Sequence, residues 1–130
     1  MSAKTLLLLF MACLLFAFNA SIGSTLTSKT GPLNARVWNF NFINSGPDAA
    51  LGAQVDSFTL TQTFGASCTP VIATTFPIIV GDLSPGYSAP YSVGIDFTGC
   101  AATARFTLAQ TFEANSGQTT AAVTKFNQFP

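Results

Sequence analysis

The residues able to carry chemistry are few, and their types exclude more than they suggest. There is no histidine among the 130 residues. That removes the Ser-His-Asp triad, the Cys-His dyad and the imidazole metal ligand together. Cys68 and Cys100 form an even pair once Cys13 is assigned to the apolar N-terminal segment. Two thiols without histidine fall short of a zinc site, so no metal is expected. In an exported chain the simplest use of such a pair is one disulfide, with two free thiols as the alternative. The ring would span about 33 residues, for which chain entropy gives roughly 3–4 kcal/mol.

The carboxylates beyond the N-terminal segment are Asp48, Asp56, Asp82, Asp96 and Glu113. A glycosidase needs two of them flanking one cleft. Asp56 and Asp96 lie on separate predicted strands and share no motif, so an enzyme is not expected. Asp48 and Asp82 fall in predicted turns, where Asp is favoured for backbone reasons. Calcium asks for several clustered oxygen ligands, and these two read more simply as solvated turn residues. No glycine-rich phosphate motif is present, so no cofactor is expected. Arg36 and Arg105 are expected to make weak surface pairs with acidic neighbours.

The elements that must position these groups follow an apolar leader. Lys4 precedes Leu6 to Phe18, and small residues follow at Asn19-Ala20-Ser21. A basic start, an apolar core and a small-residue exit make a helical signal peptide over 1–20, with cleavage expected after Ala20. An uncleaved anchor would need roughly 20 apolar residues, more than are present. A lipoprotein reading, with Cys13 as the lipidated residue, has too little apolar sequence before it. The expectation is a secreted or periplasmic product with no stable membrane anchor. Without Lys4, four cations face five carboxylates, a formal net charge of −1. No basic patch exists, so nucleic acid is not expected as a partner.

Residues 21–34 are small and polar and read as a linker or a weak first strand. Arg36 to Asn44 alternates at period two, with Trp38, Phe40 and Phe42 on one face and Asn39 and Asn41 on the other. Gln54 to Gly65 places Phe58, Leu60 and Phe64 on one face and Thr59, Thr61 and Thr63 on the other. Val71 to Val80 is apolar but holds Pro77, which predicts an edge or sheet-switching segment. Tyr91 to Thr98 turns Val93, Ile95 and Phe97 inward. Thr103 to Glu113 turns Ala104, Phe106, Leu108 and Phe112 inward. Gln118 to Phe126 is the last strand, with Val123 as its best core residue. No other segment has helical periodicity. About seven short strands separated by turn signals predict an all-β, immunoglobulin-like two-sheet sandwich over 35–130.

If consecutive strands alternate in direction, Cys68 and Cys100 both land at one pole of the sandwich. Loops 45–53, 82–90 and 114–118 then gather at the other. Asp48, Asp82, Tyr87, Tyr91 and Asn115 are the candidate binding residues of those loops.

The run FNFINSGPDAA followed by FPIIVGDLSPGYSAPYSVGIDF resembles bacterial exported immunoglobulin-like domains of the CARDB and fibronectin type III kind. The matching positions are Asn44, Gly46, Ala49 and Ala50, then Val80, Leu83, Pro85, Gly86 and Ser88, then Val93, Ile95 and Phe97. They span roughly residues 35 to 126 and are turn and core positions. The resemblance implies an adhesion or spacer-type module without catalytic residues. The expected function is a small secreted, non-catalytic binding or adhesion module whose partner is a protein or glycan at the cell surface. The alternative is a structural surface or fibre subunit that assembles through strand edges, suggested by Thr-rich outer faces and low charge.

Overall fold

Alternation in Arg36–Asn44 sets the architecture, because it drives three aromatic rings to one side of a single strand. In the computed structural model, which describes residues 19–130, that strand is β2, and Trp38, Phe40 and Phe42 are fully buried. The signal-peptide assignment for 1–20 lies almost entirely outside the described residues.

Eight strands and one short 3-10 turn make up the described chain. They are β1 (Ile22–Thr30), the 3-10 turn Leu33–Ala35, β2 (Arg36–Asn44), β3 (Ala50–Phe64), β4 (Val71–Ile72), β5 (Ile78–Leu83), β6 (Ser88–Asp96), β7 (Arg105–Ala114) and β8 (Thr119–Gln128). They form two antiparallel four-stranded sheets, β1-β2-β6-β4 and β5-β3-β7-β8. In immunoglobulin lettering, β1, β2 and β6 are A, B and E, and β3, β7 and β8 are C, F and G. β5 takes the C′ edge beside β3, and the two-residue β4 extends the other sheet beside β6. The chain is therefore an all-β, immunoglobulin-like sandwich.

The core is an aromatic layer between the sheets. Trp38 stacks on Phe97 with ring centroids 5.9 Å apart and meets Phe58 edge-on at 6.0 Å. Phe40 stacks on Tyr91 at 5.0 Å, and Phe42 meets Phe112 edge-on at 5.4 Å. Each such pair contributes roughly 0.5–1.5 kcal/mol beyond the area it buries. Val93, Ile95, Phe106 and Leu108 fill the remaining space.

The fold resolves two open readings and changes one expectation. Of the two readings of residues 21–34, linker or weak first strand, the strand is found: Ile22 and Ser24 point into the core, and every residue of β1 except Thr27 pairs with β2. Residues 71–80 are the sheet-switching segment that Pro77 predicts, split into two short edge strands. The chain leaves β4 in one sheet and enters β5 in the other, and Pro77 sits in the crossing. Phe64, expected on the core face, is 61% exposed. β3 carries irregularities between Val55 and Ser57 and between Gln62 and Phe64. Each adds one residue against β7 and reverses the facing of the residues beyond it. That is why Val55 and Phe58, three apart, are both buried, and why Phe64 emerges outside.

Cys68 follows β3 in one sheet and Cys100 follows β6 in the other. They are disulfide-bonded, with Cα atoms 5.2 Å apart. The bond clamps the two sheets together at one pole. Replacing both cysteines by serine is expected to leave a folded protein that is about 3–4 kcal/mol less stable. Guanidinium unfolding reads this directly, and an unchanged midpoint would refute a structural role for the bond.

Candidate functional site

The opposite pole is assembled around Asn44, the last residue of β2, which is completely buried. An Asn side chain offers two donors and an acceptor with two lone pairs, and this one uses them all. Its Nδ2 donates to the carbonyls of Asp48 (2.9 Å) and Leu83 (3.1 Å). Its Oδ1 accepts from the amides of Gly46 (3.1 Å) and Ser21 (3.3 Å). Its backbone N–H donates to Tyr87 and its carbonyl accepts from Gly86. One residue thus fixes the start of β1, the loop 45–49 and the turn 84–87. Gly46 completes the fit, since a Cβ there would lie 2.6 Å from the carbonyl oxygen of Asn19.

The third loop is tied in by Asn115. Asn115 and Ser116 take positive φ angles of 54° and 55°, the type I′ hairpin form that favours Asn. The Asn115 side chain accepts from the Leu51 amide at 3.0 Å and donates to Thr119 Oγ1 at 2.9 Å and to the Ala49 carbonyl at 3.3 Å. Its own backbone N–H donates to the Leu51 carbonyl. The segments 45–49, 84–87 and 115–118 therefore stand together at one end of the sandwich.

Each residue singled out from the sequence has a definite place here. Asp48 accepts from the Asn19 amide at 2.7 Å, and Asp82 accepts from the Gly52 amide at 2.8 Å. The two carboxylates hold separate segments of backbone, and Asp82, expected in a turn, lies in β5 because the pairing with β3 runs on to Leu83. Among the described residues no three His, Cys, Asp or Glu side chains gather as a metal site. Asn115 is buried and faces inward. Tyr87 is 66% exposed on a turn held by backbone hydrogen bonds at both ends.

Tyr91 is not a loop residue. It lies within β6 and shares the inward parity of Val93 and Ile95. Its hydroxyl donates to Gln110 Oε1 at 2.7 Å. That uses the only phenolic proton, so the Ser24 hydroxyl, also at 2.7 Å, donates to Tyr91. This buried chain joins β1, β6 and β7 across the two sheets. Burial pushes the Tyr91 phenol up to about 12, while hydrogen bonds with Ser24 and Gln110 pull the other way.

The other titratable groups are equally committed. Gln54 Nε2 bridges Asp56 Oδ1 and Glu113 Oε1 at 2.6 and 2.7 Å on the outer face of one sheet. Asp96 belongs to the other sheet, where the hydroxyl and amide of Thr98 hold its carboxyl below the usual range. The expected acidic partners of the arginines are replaced by other groups. Arg36 donates to the carbonyls of Gly31 and Pro130, and Arg105 lies over the rings of Phe129 and Phe64. Burial, and then the charge of Arg36, hold the Lys29 ammonium below its usual value. The sequence signals that could have found Asn44, the organising residue, are its period-two parity with Trp38, Phe40 and Phe42 and its place in the Asn-x-Gly turn.

Compared with known protein families, curated proteins and solved structures, the chain matches none.

Asn44→Ala is expected to cost about 2–4 kcal/mol, because it strands several buried backbone groups at once. Urea unfolding measures it, and a loss below 0.5 kcal/mol (roughly the noise of a surface substitution) would remove Asn44 from this role. Tyr91 also makes stability depend on alkaline pH. Its folded pKa lies above its unfolded value near 10, so its contribution is complete below pH 10 and disappears as pH rises toward 12. Denaturation midpoints across pH 9–12 should fall in that window for the native chain and less for Tyr91→Phe. Identical pH profiles for the two proteins would contradict the assignment.

Proposed function

We propose that this chain is a small exported, non-catalytic binding or adhesion module that presents one rigid loop pole to a protein or glycan at the cell surface. The observation that carries this reading is the state of Tyr87. A large amphipathic ring stands 66% exposed on a four-residue turn. The Tyr87 carbonyl accepts from Asn44 at 3.0 Å, its amide donates to Ser84 at 3.1 Å, and Gly86 donates to Asn44 at 2.8 Å. A turn backbone held in this way loses little entropy when a partner covers it, and tyrosine is enriched among residues that dominate binding energy. Leu51, 47% exposed, and the exposed prolines Pro47 and Pro85 give the same end an apolar character.

The remaining polar side chains of the pole support a presenting role. Asp48, Asn44 and Asn115 hold the backbone around the loops, and Asp82 of β5 holds the irregular start of β3 at Gly52. They stiffen the surface around Tyr87. The disulfide at the far pole suits a product that works outside the reducing cytosol.

The test uses labelled protein and whole cells or a printed glycan array. Tyr87→Ala should weaken binding tenfold or more, about 1.4 kcal/mol, while the circular dichroism spectrum stays that of the native protein. Full retention of binding by folded Tyr87→Ala would exclude this pole as the contact surface.

A further inference from the structure

At the disulfide pole, β7 begins with Arg105, and both neighbouring strands deviate at its level. On β3 an extra residue, Thr63, lies between the pairs Gln62–Phe106 and Phe64–Arg105. On β8 the pairing jumps from Phe106–Gln128 to Leu108–Lys125, which leaves one residue extra. Within that bulge Asn127 takes a left-handed φ of 53°. Bulges re-aim side chains and open a sheet locally. Here they open a hollow of about 320 Å³ lined by Thr63, Phe64, Arg105 and Asn127.

The guanidinium in this hollow is held by rings. Its carbon lies 3.9 Å from the centre of the Phe129 ring and 5.7 Å from that of Phe64. The Arg105 Nε is buried and has no hydrogen-bond partner among the described residues. No carboxylate belongs to the lining. Stacking orients the planar fork without neutralising it, and such a fork matches a carboxylate with two parallel hydrogen bonds. Beside it, Phe64 offers a flat ring that is 61% exposed. Thr63 and Asn127 add a hydroxyl and an amide.

We infer that this hollow is an anion subsite for the carboxylate of a uronic acid residue in an acidic polysaccharide. The carboxylate pairs with Arg105, the apolar face of the sugar ring lies on Phe64, and the ring hydroxyls meet Thr63 and Asn127. A bare anion such as phosphate would satisfy the fork but leave the Phe64 face uncovered, so a ring-bearing carboxylate uses more of the site. The subsite is independent of Tyr87, which lies at the other pole.

The test is a titration of the folded chain with a galacturonic acid trisaccharide, followed by calorimetry and by the arginine Nε–H signals in NMR. The trisaccharide should bind and should shift the Arg105 signal but not that of Arg36. The neutral galactose trisaccharide and inorganic phosphate should each bind at least tenfold more weakly. Arg105→Gln should reduce affinity tenfold or more, and Arg105→Lys should restore only part of it. If Arg105→Gln does not fold, Phe64→Ala at its exposed position carries the test, with an expected loss of threefold or more. Equal affinity for the neutral sugar, phosphate binding as tight as that of the uronate, an unshifted Arg105 signal or wild-type affinity in the Arg105 and Phe64 variants would each overturn the assignment.

Discussion

Three rings from one strand hold the two sheets in relation to each other. Trp38, Phe40 and Phe42 project from β2 into the space between the sheets, where they meet Phe97, Tyr91 and Phe112 in turn. Phe58, on the facing sheet, touches both Trp38 and Phe40 edge-on. Rings packed in edge-on and offset arrangements tolerate little sliding, because their preferred geometries are specific. A one-residue slip of β2 would turn all three rings to solvent and bring Asn39 and Asn41 inward. The register of β2 against β1 and β6 is therefore fixed by the core.

That constraint also determines where polar groups are tolerated inside. Asn44 continues the inward parity of Trp38, Phe40 and Phe42, so it is buried at the end of the aromatic row. A buried amide must find partners, and the backbone around it supplies them. Tyr91 meets the same need on β6, donating to Gln110 Oε1 of β7 and accepting from Ser24, while Gln110 Nε2 stays without a partner among the described residues. The rigid loop pole is a consequence of these burials. Its backbone is held from beneath by side chains that the strand periodicity forces inward.

The bulges have the opposite effect, since they break periodicity where a strand must change what it shows. Without the first irregularity in β3, Val55 and Phe58 could not both be buried. The second irregularity, with its counterpart in β8, uncovers Phe64 and leaves Arg105 in an open hollow between rings. Two surfaces of different character result. One pole is a set of tightly bonded turns with an aromatic tip, and the other is a cationic hollow beside the disulfide.

Alternation in the sequence was enough to determine the strands around Trp38, Val93 and Phe106, because each buries one face and period two leaves only one choice of face. The cysteine count, with no histidine to compete for the thiols, made one disulfide the simplest reading, and the approach of Cys68 and Cys100 in the fold decided it. The same parity reaches Tyr91, which is two residues before Val93 and therefore inward, although Pro90 beside it suggests a loop. Only the tertiary structure decided the rest. Residues 21–34 read equally as linker or weak strand, and the partner edge offered by β2 decides for the strand over Ile22–Thr30. Pro77 marks 71–80 as an edge or sheet-switching segment, and the fold decides which edge each part joins, β4 on β6 and β5 on β3. The bulges that expose Phe64 and seat Arg105 arise from the match of two strands across a sheet, and a single strand read alone carries no sign of them. Local periodicity fixes which face a residue takes within an unbroken strand, whereas breaks in that strand depend on neighbours distant in the chain.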